Sequence, residues 1–286
     1  MSRVELPEGY ILRLTTSSGD VRVIAEERSD VEAPEGVHVN LYTGEEKADG
    51  AAAAPPPEER QEAREAREER RRRRHSHLKS ILKHVLGSGM KKHHGQRRGP
   101  ALEIGSRKGG SDDLEVRCPI GTEVSVGTLS GDIRLEGELG HVRAATASGD
   151  ITADRVASLD ARSISGDLEV EACPERCRLS TKSGHIEVGS AGSAEADTVS
   201  GRIRLDSTAG PVKVRTVSGN VELGTDGADP VSVRSVSGGV NVRVQRDRRP
   251  EARLRSVSGK VRCDCPEGTD FPLEVMTVSG KIEVSD

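Results

Sequence analysis

Apolar and polar residues alternate along most of this chain, and the alternation recurs in a repeat marked by a Ser-Gly pair. Successive serines of nine copies are separated by 17 to 21 residues, and an isolated earlier copy lies at Ser18. In all nine copies the residues six and four before the serine, and three and five after it, are apolar, whereas those five before and four after are polar. A period of two predicts two strands per repeat, one on each side of the Ser-Gly pair. The nine pairs are Ser130-Gly131, Ser148-Gly149, Ser165-Gly166, Ser183-Gly184, Ser200-Gly201, Ser218-Gly219, Ser237-Gly238, Ser258-Gly259 and Ser279-Gly280.

A repeat of this length is too short to bury its own apolar face, so neighbouring repeats have to stack on one another. The pattern therefore predicts an all-β fold, a β-solenoid of about nine to eleven two-strand coils. The glycine of each pair is expected to let the chain turn where a Cβ would clash. The serine, and the Thr or Ser two residues before it, are expected to face inward as hydroxyl ladders that bond to each other or to the turn backbone.

Aspartate follows the Ser-Gly pair in four copies of the motif, at Asp20, Asp132, Asp150 and Asp167. These carboxylates are expected to stack along one edge of the rod, and each is expected to hydrogen-bond within its own turn. A Ca²⁺ site on the stack is the alternative, although the nonapeptide pattern of Ca²⁺-binding repeats is missing.

The repeats define three segments: leading coils at 1–43, a low-complexity insert at 44–100, and the solenoid repeats at 101–286. The insert starts with a Pro/Ala-rich linker and continues into a predicted amphipathic helix. Residues 58–98 contain 14 Lys/Arg and 6 Glu, a net charge of +8 in a chain of net −4, so the remainder carries −12. The candidate contacts to an anionic surface are Arg70, Arg71, Arg72, Arg73, Arg74, Lys79, Lys83, Lys91 and Lys92.

Several partners fit a basic insert of this kind. It is either a solvated disordered segment, a helix that lies on an anionic membrane surface, or a segment that docks on an acidic protein, including this rod or a second copy. Nucleic acid is the least favoured partner, because no aromatic residue interrupts the basic run to stack on bases.

Composition and motifs argue against an enzyme. Aromatic residues make up 1% of the chain, with no Trp, so large rings contribute little to any core. There is no nucleophile-elbow or phosphate-loop motif, and the cysteines lack zinc-site spacing, which predicts no cofactor and no metal.

The odd number of cysteines, five, fits a reducing compartment. With no signal peptide or apolar span visible, the expected location is the cytoplasm, with peripheral membrane association left open.

The repeats TLSGDIRL, SISGDLEV, TVSGRIRL, TVSGNVEL and TVSGKIEV resemble a bacterial family of β-strand repeat proteins labelled as adhesins, a domain of unknown function. The resemblance covers residues 11–24 and about 111–286. It implies a β-strand repeat fold and carries no known catalytic residue or ligand.

The sequence thus predicts a non-enzymatic scaffold or assembly protein. The alternatives are a cell-surface adhesin, which requires export, and a carbohydrate-active enzyme on a β-helix, for which no carboxylate pair stands out from the repeats.

The residue after the Ser-Gly pair changes from Asp132 near one end of the repeats to Lys260 and Lys281 near the other. Opposite charges at the two ends, together with a last coil that ends at Val284, predict head-to-tail self-association through the C-terminal coil.

Overall fold

The computed structural model of this protein describes residues 2–5, 9–34, 37–42, 101–105, 113–245, 250–264 and 272–285. The predicted helix of the insert and its nine candidate basic residues lie outside these ranges. Within them no helix is long and apolar enough to cross a membrane. The regular elements are the strands β1 (Ser2–Glu5), β2 (Ile11–Thr15), β3 (Val21–Glu26), β4 (Asp30–Ala33), β5 (His38–Tyr42), β6 (Ala101–Gly105), β7 (Leu114–Pro119), β8 (Glu123–Gly127), β9 (Ile133–Ala145), β10 (Ile151–Arg162), β11 (Leu168–Ser183), β12 (Ile186–Ser200), β13 (Ile203–Thr208), β14 (Val212–Ser218), β15 (Val221–Thr225), β16 (Val231–Ser237), β17 (Val240–Val244), β18 (Ala252–Ser258), β19 (Val261–Asp264), β20 (Leu273–Ser279) and β21 (Ile282–Ser285).

These strands stack in parallel along two faces of a rod, and the prediction of an all-β solenoid is confirmed. The first face runs through β6, β2, β8, the second parts of β9 to β12, and then β14, β16, β18 and β20. The second face runs through β7, β3, the first parts of β9 to β12, and then β13, β15, β17, β19 and β21. The chain crosses between the faces at each Ser-Gly pair, as the period-two pattern on either side of that pair indicated.

The coil formed by residues 11–26 does not lie at the end of the rod. Its strand β2 pairs with both β6 and β8, and its strand β3 pairs with both β7 and β9. The first coil in sequence therefore lies between the coil of 101–119 and the coil that begins at β8. Spatial order and chain order differ at this end, and the two strands that flank the insert, β5 and β6, pair with each other.

Antiparallel strands cover this end of the rod. Strand β5 pairs antiparallel with β6, while β4 pairs antiparallel with β1 and, at Glu32 and Arg117, with β7. Next to and within β4, Arg28 donates hydrogen bonds to the carboxylates of Asp30 and Glu32 at 2.9 and 3.0 Å. These ion pairs lower the pKa of both carboxyl groups. Both faces of the end coil, residues 101–119, are thus paired on their outer side.

The core is a set of aliphatic columns, one for each apolar position of the repeat. All 36 predicted inward residues are buried except the four of the last coil, Leu273, Val275, Ile282 and Val284. In register, Val214 lies on Val233, and Leu254 lies on Val275, so each side chain packs against its counterparts above and below. This packing accounts for a core without large rings, because every coil contributes small aliphatic side chains in the same places.

Candidate functional site: the Ser-Gly corner

The Ser-Gly pairs line one corner of the rod, which we call the Ser-Gly corner. Ten serines are in register there, because Ser18 pairs with Ser130 and each later serine pairs with the next along the rod. The glycines are required by close approach between coils. A Cβ on Gly131 would overlap the carbonyl carbon and oxygen of Gly19 in the neighbouring coil, and a Cβ on Gly149 would overlap those of Gly131. The corner is a stack of backbones that excludes side chains at this position.

The inward hydroxyl ladder predicted for the serines is wrong. The serine side chains are exposed or half-exposed at every coil from Ser130 to Ser279, because the bend turns them outward. The Thr or Ser two positions earlier is buried in all coils before the last, and several of these hydroxyls donate to the turn backbone, as Thr181 does to the Gly166 carbonyl at 3.2 Å. Others, including the hydroxyls of Thr216 and Ser235, have no partner in the described residues.

The aspartates after the Ser-Gly pairs form a continuous hydrogen-bonded ladder between coils. The carboxylate of Asp132 accepts from the backbone N–H of Asp150 at 3.0 Å, and that of Asp150 accepts from the N–H of Asp167 at 2.8 Å. Asp20 accepts in the same way from Asp132, and Asp113 accepts from Asp20, both at 3.0 Å. The expectation that each Asp bonds within its own turn is therefore wrong, since each carboxylate satisfies an amide of the next coil.

Other side chains continue this column beyond the aspartates. His185 accepts the N–H of Arg202 through Nδ1 at 2.9 Å, and Asn220 accepts the N–H of Gly239 through its side-chain oxygen at 2.9 Å. At the far end the column carries Lys260 and Lys281, whose ammonium groups bind Glu283 at 2.6 and 2.8 Å. These two hydrogen bonds lower the pKa of Glu283 to about 2. The column is thus acidic at the capped end and basic at the last coil.

The four cysteines in the described ranges lie inside the rod. Cys118, Cys173, Cys177 and Cys263 are all buried, and burial raises the pKa of the Cys118 thiol to about 11. A hydrogen bond between Cys173 and Cys177 lowers the pKa of the first and, together with burial, raises that of the second. The described residues contain no cluster of three His, Cys, Asp or Glu side chains that could hold a metal ion.

Sequence reasoning missed a row of exposed valines beside the corner. Val199, Val217, Val236 and Val257 are 47–49% exposed, and Val278 is 83% exposed. They stand one residue before the serines, a position whose outward direction follows from the period of two. An apolar residue that recurs at an outward position was the signal that could have found them.

A family model described as Toastrack DUF4097 matches residues 89–282 of the chain. No curated protein and no solved structure shows a match. The family description names a domain of unknown function, so the adhesin label stays a prediction. The matched range leaves out residues 11–26, although these form one of the stacked coils.

Proposed function

This chain belongs to the Toastrack DUF4097 family, and we propose that it is a non-enzymatic scaffold or assembly element that associates with a second copy through its last coil. The observation that supports this proposal most directly is that the apolar side chains of the last coil, which are inward in every other coil, are partly exposed to solvent. Ile282 and Val284 are 44% and 51% exposed, whereas their counterparts one coil earlier, Val261 and Cys263, are 1% exposed.

The open coil also presents backbone groups for pairing. Strands β20 and β21 pair with β18 and β19 on one side, and no strand in the described ranges pairs with their other side. Unpaired strand edges next to exposed apolar side chains favour pairing with another chain. Complete burial of an aliphatic side chain contributes about 1.5–3 kcal/mol, so burial of the parts of Leu273, Val275, Ile282 and Val284 that are still exposed would contribute a fraction of that each to the contact.

The geometry of the two ends favours a closed dimer over a filament. The other end of the rod is covered by β5 on one face and by β4 and β1 on the other, so it offers no matching open coil for a head-to-tail contact. Two copies related by a two-fold axis would instead pair last coil to last coil, with their strands antiparallel.

A non-enzymatic role is supported by the repetition of the surface. A catalytic site needs distinct groups that converge on a reacting atom. The polar groups at the Ser-Gly corner are instead members of columns, in which each carboxylate accepts a backbone N–H from the next coil. A cytoplasmic location stays a prediction from the sequence.

Sedimentation of the full chain from micromolar to near-millimolar concentration tests this function. We expect a monomer–dimer equilibrium in the parent and a monomer in Val284→Lys, which places a charge in the contact. Thr152→Lys adds the same charge to an outward position of β10 and serves as the matched control, expected to associate like the parent. A parent that stays monomeric over the whole range contradicts the proposal, and so does a Val284→Lys variant that associates as strongly as the parent.

A further inference from the structure

The exposed valines form a continuous apolar ridge along the C-terminal half of the rod. This valine ridge consists of Val199, Val217, Val236, Val257 and Val278. Their coils are consecutive, since β12, β14, β16, β18 and β20 pair in that order and in register. At the strand spacing of ~4.8 Å, five such residues span about 19 Å. Because each valine is next to a bend, the ridge lies on a convex corner of the rod and not in a groove.

Basic side chains flank the ridge on both sides. Three arginines stand two residues before Val217, Val236 and Val257 and point outward as the valines do. They form one column in register: Arg215, Arg234 and Arg255. Across the bend, Lys260 and Lys281 stand three residues after Val257 and Val278, and their two ammonium groups share the single carboxylate of Glu283, so this pair keeps a net positive charge. Lys213 and Arg253 lie further out on the same side, and both are ion-paired: Lys213 lies 3.1 Å from Glu195, and Arg253 contacts Glu251 and Glu274.

The arginine column is incompletely neutralised by the protein itself. Arg215 lies 3.7 Å from Asp197, and Arg255 lies 2.9 Å from Glu274. Arg234, which is exposed between them, has no ion pair with any residue in the ranges that the structure describes. Three like charges at the spacing of adjacent strands repel one another, so an anionic partner would relieve a repulsion that the fold leaves in place.

We propose that the valine ridge and its flanking basic columns bind the surface of a bilayer that contains anionic lipids. Apolar side chains on a convex surface enter the boundary between headgroups and acyl chains, while arginine and lysine on either side reach the phosphates. A second copy fits less well, because a two-fold contact across the ridge would bring the two arginine columns together. Nucleic acid fits less well, because valine offers no ring for base stacking.

The other half of the rod supplies an internal contrast for this surface. At the coils of Ser148, Ser165 and Ser183 the position of the valines is occupied by Ala147, Ile164 and Lys182. Across the bend, Asp150 and Asp167 replace the lysines of the last two coils. Membrane contact is therefore expected only in the C-terminal half, and it does not depend on self-association through the last coil.

A single tryptophan reports directly on this contact, since the natural chain has none. In full-length Val236→Trp we expect the emission to shift to the blue with vesicles of phosphatidylcholine and phosphatidylglycerol, and the shift to disappear in high salt. Phosphatidylcholine vesicles alone should produce no shift. Lys182→Trp places the same reporter at the same repeat position in the other half, and its emission should not change. An unshifted Val236→Trp, or equal shifts in the two variants, overturns the proposal.

Vesicle sedimentation gives a second readout that does not require an introduced tryptophan. The triple variant Val217→Thr, Val236→Thr and Val257→Thr keeps β-branched side chains and should partition about tenfold more weakly. Arg234→Gln should bind roughly fivefold more weakly, the effect of one cation near an anionic surface. Arg143→Gln, an exposed arginine of the other half, should match the parent. Binding that the threonine variant retains in full contradicts the proposal and assigns vesicle binding to another part of the chain, such as residues 58–98.

Discussion

In the coils of Ser130, Ser148 and Ser165 the residue after the Ser-Gly pair is aspartate, and in the coils of Ser258 and Ser279 it is lysine. The same two halves also differ beside the corner, where Ala147 and Ile164 in one half correspond to exposed valines in the other. Inside the rod the halves agree, with aliphatic residues at the same repeat positions and in the same register.

The comparison separates two kinds of constraint. An inward residue packs against a counterpart in the coil above and another in the coil below, so its size and polarity are limited at every coil. An outward residue meets only its neighbours on the surface and solvent, so charge and apolar surface can change along the rod without disturbing the stack. Binding surfaces are therefore to be sought in the outward columns, where the two halves differ.

The largest expected effect comes from the glycine column, which both halves share. In Gly238→Ala the new Cβ would overlap the Gly219 carbonyl, and the residue has a φ of 126° that strains any L side chain. We expect a loss of about 2 kcal/mol or more in the free energy of unfolding, measured by urea denaturation. Gly149→Ala in the acidic half should lose as much, since its Cβ would overlap the Gly131 carbonyl.

The adjacent glycine is the control for this prediction. A Cβ on Gly239 has its nearest neighbour, the side-chain oxygen of Asn220, at 3.4 Å, and no strained φ is present there. Gly239→Ala should therefore unfold like the parent or be slightly more stable. A loss in Gly149→Ala far smaller than in Gly238→Ala would show that the two halves do not share one corner geometry.

The alternation of the sequence was sufficient to predict the solenoid, because the inward columns depend only on strand period and register. It placed Val214 and Val221 in the core, where they are buried. It failed at the bend, since the chain leaves the strand geometry there and the period of two no longer gives the side-chain direction. For that reason Ser130 and the later serines were wrongly expected to face inward.

Contacts between coils were harder to predict than contacts within a coil. The acceptor role of Asp150 toward the N–H of Asp167 depends on how two coils are offset, and a single repeat contains no information on that offset. The position of residues 11–26 between two later coils follows from long-range pairing of β2 with β6 and β8. Neither feature leaves a local signal in the sequence.

A smaller effect is expected from the aspartate ladder, which separates the halves by charge. Asp150→Ala removes the acceptor of the Asp167 N–H and should reduce the free energy of unfolding by about 1 kcal/mol. Asp150→Asn keeps an acceptor oxygen, as Asn220 does further along the column, and relieves repulsion between stacked carboxylates. It should be at least as stable as the parent at low salt. If the asparagine variant loses as much as the alanine variant in denaturation, the charge itself is needed and the ladder has a cationic partner.

The smallest expected effect is a pH dependence confined to the last coil. The pKa of Glu283 falls from an ordinary 4.5 to about 2, because the ammonium groups of Lys260 and Lys281 donate hydrogen bonds to its carboxylate. A carboxyl group whose pKa is lower in the folded state stabilises that state above its unfolded pKa, and the contribution disappears as the pH falls from about 4.5 through 2. We therefore expect the protection factors of the β21 amides, which correct the hydrogen-exchange rates for their intrinsic pH dependence, to fall over this range relative to those of the coils that Asp132 and Asp150 join. In Glu283→Gln the protection factors of the β21 amides should be lower at neutral pH and nearly independent of pH between 4.5 and 2. If acidification instead first lowers protection in the coils of Asp132 and Asp150, the acid-sensitive contacts lie in the aspartate ladder and not in the last coil.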